Sequence, residues 1–221
     1  LDAPREAPKL LVRGTKLWSP SWDRFGGLWV LDQQPAGTKV YFIDGAGKHA
    51  ITVAGLGLRR ILELAVSADG TRMAMITQEP DQPARLELGL VKTEPIEIGT
   101  PDEPQRSVRP VSITSPSPVA PQLDPAVDVA WADTQQLVVL IGDADPDQVQ
   151  PYQPYQVGID GRMPEQLGPV PAGVPVSVAA SAAAPVLVGT KDGKIYRLPA
   201  PDTLALTRSW EFLTEGRRPA Y

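Results

Sequence analysis

The chain has 221 residues, a formal net charge of −5 at pH 7, one histidine and no cysteine. The lack of cysteine excludes disulfide bonds, thiol catalysis and cysteine-ligated metals, and the acidic balance argues against nucleic-acid binding. Proline and glycine, together about a fifth of the residues, separate short apolar runs and therefore indicate turns. The arginine pairs at 59–60 and 217–218 are interpreted as solvated loop charges.

The first quarter of the chain predicts short strands separated by turn residues. Each is a short run rich in apolar, β-branched or aromatic residues, and Gly, Pro or Asp residues separate the runs, as is typical of strands. The predicted strands cover residues 9–14, 17–23, 28–33, 39–44 and 49–53.

A hairpin at 62–78 organises this pattern. Leu62, Leu64 and Val66 alternate with polar or small residues, as expected of a strand. The turn at 67–70 ends in Gly70, which tolerates a positive φ. The apolar run at 73–76 then predicts a strand that is buried on both faces.

The remainder of the chain repeats this alternation without any convincing amphipathic helix. Residues 93–124 are rich in proline and predict an extended excursion at the rim of the fold, with 109–114 docked as an outer strand. The other predicted strands are at 84–92, 126–132, 136–141, 154–160, 163–167, 174–181, 185–191, 194–198 and 204–210, and residues 142–151 form an acidic loop.

Four of these segments superpose as repeats. Trp22, Ser67, Trp131 and Ala180 fall at the end of the first strand of each unit, at intervals of 45, 64 and 49 residues. A repeat of this length with four strands is typical of a β-propeller blade, although an antiparallel sandwich would also explain the strands. The sequence therefore predicts a single all-β propeller domain over residues 1–221, with four-stranded antiparallel blades at 17–53, 61–115, 126–168 and 174–210.

The predicted strand at 9–14 stands before the first of these blades. In every unit an outer strand precedes the inner strand of the next blade, so 9–14 is expected to be the outer strand of a further blade. The expectation that follows is a longer propeller with at least one more blade.

The hairpin sequence SADGTRMA at 67–74 resembles the TolB-like and prolyl-oligopeptidase-type propellers. A closer resemblance, to the C-terminal propeller domain of the actinobacterial LpqB lipoprotein family, rests on PSWD at 20–23, GGLWVLD at 26–32, DVAWAD at 128–133 and LVGTKDGKIYRL at 187–198. The resemblance implies a lipid-anchored, extracytoplasmic protein with a GerMN-type domain ahead of the propeller. It also implies a partnership with the sensor kinase MtrB of the MtrA–MtrB two-component system.

Candidate chemical groups are few. A Ser-His-Asp triad would have to use His49, but the sequence has no G-x-S-x-G nucleophile elbow, so we interpret His49 as an edge-strand residue. Residues 143–147 have the D-x-D-x-D spacing of a calcium loop, but Gln148 stands where that loop needs glycine, and no glutamate stands at the twelfth position. We therefore expect an acidic loop, and no catalytic residue, cofactor or metal ligand.

Three functions remain open. Trp22 and Trp131 occupy equivalent repeat positions, which favours blade packing over a ligand platform. The favoured function is a non-catalytic interaction domain that modulates MtrA–MtrB signalling by binding the kinase. The alternatives are an accessory propeller of a hydrolase and a cell-wall or carbohydrate-binding module. The partner-contacting residues stay unassigned, because propeller binding surfaces lie on variable loops.

Overall fold

The computed structural model describes residues 10–35, 37–100, 103–142, 152–182, 184–199 and 209–215. Apart from a short 3-10 turn at Pro121–Leu123, the regular structure in these ranges is β-strand. Nothing helical in them is long and apolar enough to cross a membrane.

The strands form four blades in chain order. Each blade opens with an inner strand and continues outward through antiparallel neighbours. Blade 1 contains β1 (Leu17–Trp22), β2 (Leu28–Gln34), β3 (Gly37–Asp44) and β4 (Gly47–Val53); blade 2 contains β5 (Arg60–Val66), β6 (Arg72–Gln78), β7 (Arg85–Thr100), β8 (Glu103–Ile113) and β9 (Ser117–Pro118). Blade 3 contains β10 (Ala126–Trp131), β11 (Gln136–Ile141), β12 (Gln153–Gly158) and β13 (Glu165–Gln166); blade 4 contains β14 (Pro175–Ser181), β15 (Ala184–Thr190), β16 (Lys194–Leu198) and β17 (Glu211–Glu215).

The blades stack face to face, and the hydrophobic core lies between them. In β6, Met73 and Met75 pack toward blade 1, whereas Ala74 and Ile76 pack toward blade 3. All four side chains are completely buried. The prediction of a strand buried on both faces is therefore confirmed for this run. The all-β propeller fold is confirmed as well, because four antiparallel sheets follow one another along the chain and each packs face to face against the next.

The predicted turns are formed as expected. Gly70 has a φ of 72°, and its N–H donates to the carbonyl of Ser67 at 2.8 Å. The Asp69 carboxylate accepts the N–H of Thr71 at 3.0 Å. The Asp-Gly turn of blade 4 repeats the geometry, with a φ of 88° at Gly193.

The proline-rich stretch differs from the prediction. The sequence predicted an extended excursion with a strand only at 109–114, whereas β7 and β8 form one long antiparallel hairpin, and the end of β8 pairs in parallel with β4 of blade 1. The pair at the closed end of the hairpin is Thr100 with Glu103. This pair exchanges backbone hydrogen bonds, and from there hydrogen-bonded pairs alternate with non-hydrogen-bonded pairs along the two strands. The prolines at 95, 104 and 110 all belong to non-hydrogen-bonded pairs. At such a position the backbone amide points away from the partner strand, so a proline there removes no hydrogen bond between β7 and β8.

Residues 109–113 do lie as a strand against β7, as predicted. They share the outer position of blade 2 with β9, which pairs with Glu87 and Leu88 further along β7.

The structure assigns no strand to residues 10–14, where the sequence predicted the outer strand of a further blade. Val12 instead packs against a small apolar cluster of Leu28, Val30 and Ile43. The N–H groups of Thr15 and Lys16 then donate to the Asp32 carboxylate, at 2.9 and 3.0 Å. This stretch is therefore held to blade 1 by side chains. The longer propeller stays a prediction.

The last predicted strand, 204–210, also needs correction. Residues 204–208 lie outside the described residues, and Trp210 is not in a strand. The Trp210 indole is buried and donates to the carbonyls of Leu167 and Gly168 in blade 3, at 3.2 Å each. The fourth strand of blade 4 therefore begins only at Glu211.

Candidate functional site: the groove between the inner strands

Each inner strand is interrupted by an irregularity at a corresponding place. The pairing register shifts between Trp18 and Ser21, between Ile61 and Glu63, between Ala126 and Asp128, and between Pro175 and Ser177. A bulge turns the following side chain toward the other face of the sheet. Each blade thereby places a polar residue at the inner edge, and these residues line one common groove.

The bulges also tie neighbouring blades together. Ser19 has a left-handed φ of 52°, which lets its hydroxyl accept the N–H of Leu64 at 2.8 Å and donate to the Leu64 carbonyl at 3.1 Å. The Ser21 hydroxyl accepts the N–H of Val66 at 3.0 Å. Between blades 3 and 4, the Asp128 carboxylate accepts the N–H of Val178 at 2.7 Å. The groove walls are therefore joined by hydrogen bonds that leave little freedom between blades.

The groove has a volume of about 780 Å³ and an acidic lining. Glu63, Asp128 and Asp133 contribute carboxylates, Ser19, Ser21 and Ser177 contribute hydroxyls, and Trp22 stands at its mouth. None of the described residues that line it is a lysine, arginine or histidine. The groove thus offers negative charge, hydroxyls and one aromatic face to a ligand.

The Glu63 carboxyl is the most perturbed group in the groove. Burial raises its pKa from the ordinary 4.5 to about 6, and the charge of Asp128 adds to the increase. Hydrogen bonding to Ser19 and to the Leu64 N–H offsets only part of that effect. Burial also raises the pKa of Asp128, although the N–H groups of Val178 and Val129 stabilise its charged form. The groove therefore disfavours the ionised form of both carboxyl groups.

We expect this perturbation to affect stability. A carboxyl whose pKa is raised on folding stabilises the protein below the unfolded pKa, and that contribution is lost as the pH rises through about 6. The gap between the two pKa values corresponds to about 2 kcal/mol. Relative to the unchanged protein, Glu63→Gln should therefore gain about 2 kcal/mol of unfolding free energy between pH 4.5 and 7.5. Urea denaturation of both proteins across this range measures the gain, and parallel curves would contradict it.

The two tryptophans at equivalent repeat positions have different environments. Trp131 is only 6% exposed, and its indole N–H donates to the Ala65 carbonyl of blade 2 at 2.8 Å, so blade packing is confirmed for it. Trp22 is 57% exposed, so the same prediction is wrong for Trp22. Trp18, at a different position of the repeat, joins blade 1 to the blade that follows it, because its indole N–H donates to the Leu62 carbonyl at 2.8 Å.

His49 lies on β4, away from the groove. Its Nε2 is 3.1 Å from the Asp44 carboxylate, and its Nδ1 is 3.4 Å from the Arg109 guanidinium. The hydrogen bond from His49 helps to hold the pKa of Asp44 below its usual value, against the opposing effect of burial. Both ring nitrogens are engaged between a carboxylate and a guanidinium, an arrangement that fixes β8 against blade 1.

The arginine pair at 59–60 is only partly a surface feature. Arg60 is exposed, as predicted, but Arg59 forms an ion pair with the buried carboxylate of Glu87 on β7. The interpretation of Arg59 as a solvated charge is therefore wrong. Residues 143–147 and 217–218 lie outside the described residues. Within those residues, no group of three or more acidic or histidine side chains is arranged to hold a metal ion.

Sequence reasoning did not single out Glu63 and Asp128. A partial signal existed, because each is the single acid of its inner strand, but the aligned repeat positions Ser67 and Trp131 place the two acids at different offsets. A single acid there is explained by simple alternation. The equivalence is visible only with the strand ends of the structure, Val66 and Trp131, because each acid lies three residues before its strand end.

A protein-family model described as the lipoprotein LpqB beta-propeller domain matches residues 3–221. The chain belongs to this family. The resemblance found in the sequence is thereby confirmed.

Two curated relatives carry the name lipoprotein LpqB. The one from Streptomyces coelicolor is 28% identical over 223 residues, which cover 100% of this chain and 33% of the relative. The one from Streptomyces avermitilis is 30% identical over 210 residues, covering 93% of this chain and 31% of the relative. The chain thus spans about a third of the length of these LpqB proteins.

Among solved structures, the chain resembles one from a crystal structure of a nidogen/laminin complex. The TM-score is 0.52 at 13% identity, and the match covers 88% of this chain and 64% of the other. At this identity the likeness concerns the fold alone.

Proposed function

We propose that this domain is a non-catalytic protein-interaction module of a cell-envelope lipoprotein, and that it modulates the MtrA–MtrB two-component system by binding the extracytoplasmic part of the sensor kinase MtrB. Membership of the LpqB propeller family over residues 3–221 is the observation that carries this proposal. The lipoprotein name of the curated relatives supports membrane anchoring outside the cytoplasm.

The architecture suits recognition. Blades whose inner strands are joined through Ser19, Ser21, Asp128 and Trp131 form a stiff frame. Loops and strand ends on such a frame present side chains to a partner at a low entropic cost. The single histidine is engaged at both ring nitrogens, which supports a role in structure over a role as a general base.

The proposal predicts direct binding. The purified domain should form a saturable complex with the extracytoplasmic sensor domain of MtrB, measured by isothermal titration calorimetry. In cells, removing the propeller from the full-length lipoprotein should change the phosphorylation of MtrA. The remaining part of the lipoprotein serves as the control in both measurements, because it could bind the kinase by itself. Unchanged kinase binding and signalling after removal of the propeller would show that this domain is not the module responsible.

A further inference from the structure

The charge of the groove is uncompensated within the described part of the chain. Glu63 on β5, Asp128 on β10 and Asp133 after β10 line it, whereas the lining segments of β1 and β14 contribute no titratable side chain. Arg72 reaches only the rim, where its guanidinium is 3.4 Å from the Thr134 carbonyl and 3.6 Å from the Asp69 carboxylate. A partly buried carboxylate without a cation is unfavourable, and a cationic ligand would relieve that cost.

Trp22 supplies a second feature of the same groove. Its side chain is more than half exposed at the mouth, although the equivalent Trp131 is buried. An exposed indole face attracts a cation positioned above it. The carboxylates inside the groove and the aromatic face at its entrance therefore both favour a cationic group.

We propose that the groove between the inner strands binds an arginine side chain from a protein partner. The guanidinium is planar, is weakly hydrated, stacks on aromatic faces and donates several N–H groups to carboxylates, so it suits this lining better than the strongly hydrated ammonium of lysine. The polar residues at the four bulges surround the position that it would occupy. That the bound arginine belongs to a protein rests on the proposed function. The lining of the groove specifies the guanidinium group.

The test uses the pentapeptide acetyl-Gly-Gly-Arg-Gly-Gly-amide, titrated into the labelled chain and followed by NMR. We expect shifts at the Trp22 indole and at the amides of Glu63 and Asp128. The citrulline peptide has the same shape without the charge and should bind at least about tenfold more weakly, as loss of a charged hydrogen bond implies. The lysine peptide should bind more weakly than the arginine peptide. Equal binding of the citrulline or lysine peptide, or no shift up to the solubility limit of the arginine peptide, overturns the inference.

Variants locate the peptide. Glu63→Gln and Trp22→Ala should each weaken binding by about tenfold, whereas Glu94→Gln, an exposed carboxylate on β7, should leave it unchanged. Unchanged binding in both groove variants would place the peptide elsewhere and overturn the inference. Kinase binding that persists undiminished in both variants overturns the groove as the contact but leaves the proposed function standing. If the unchanged chain binds the arginine peptide but does not bind the kinase, the proposed function is wrong and the groove still binds arginine.

Discussion

Glu87→Gln should lower the free energy of unfolding by about 3–5 kcal/mol, the range for removing one partner of a buried ion pair. Glu87 is 3% exposed, and its two oxygens are engaged by the Arg59 guanidinium and by the Thr77 hydroxyl, the latter at 2.7 Å. Glutamine keeps the shape but leaves the Arg59 charge unpaired. Guanidinium chloride denaturation at pH 7 measures the loss.

An exposed pair provides the matched control. Glu211 accepts from Arg197 at 2.8 Å, and both side chains are 47% exposed. Glu211→Gln should therefore cost less than about 1 kcal/mol. Replacing both buried partners, as Arg59→Met with Glu87→Leu, should recover much of the loss because no charge is left buried. If Glu87→Gln costs no more than Glu211→Gln, the buried pair does not stabilise the loop at 54–59 against β7.

The parts of the fold that the sequence predicted well depend on local chemistry. The alternation at 62–66 and the Asp-Gly turns fix hairpins within a few residues of one another. The run at 73–76 is apolar at every position because blades cover β6 on both faces. Four copies of such a unit were enough to predict the propeller.

The parts of the fold that the sequence did not predict depend on the pairing register of the strands, which the spacing of residue types does not determine. The prolines at 95, 104 and 110 argue against a strand until the pairing of β7 with β8 shows that all three occupy rungs without ladder bonds. In β5, the bulge after Ile61 buries that residue and exposes Leu62, although simple alternation predicts that Leu62 is buried. The same bulge turns Glu63 into the groove, so the candidate site was hidden by an irregularity of one residue.

Trp131→Ala should destabilise the protein by about 3–5 kcal/mol, as expected for a large aromatic side chain deleted from a core. The ring fills the space between blades 2 and 3 among Ile76, Leu137 and Val139. Trp131→Phe should cost less, about 1–3 kcal/mol, because it keeps most of the apolar contact but leaves the buried Ala65 carbonyl without the indole N–H. Urea denaturation of both variants separates the contribution of the apolar ring contact from that of the indole hydrogen bond.

The repeat itself supplies the control for this experiment. Trp22→Ala removes the same side chain from the same position of blade 1, but from a site that is 57% exposed, so the change should stay within about 0.5 kcal/mol. The stability of the two alanine variants should therefore differ by several kcal/mol although the sequence positions are equivalent. Equal losses would mean that Trp131 does not hold blade 3 to blade 2. With the losses unequal as expected, the tryptophan in blade 3 holds two blades together, whereas its counterpart in blade 1 makes no comparable contact within the described residues.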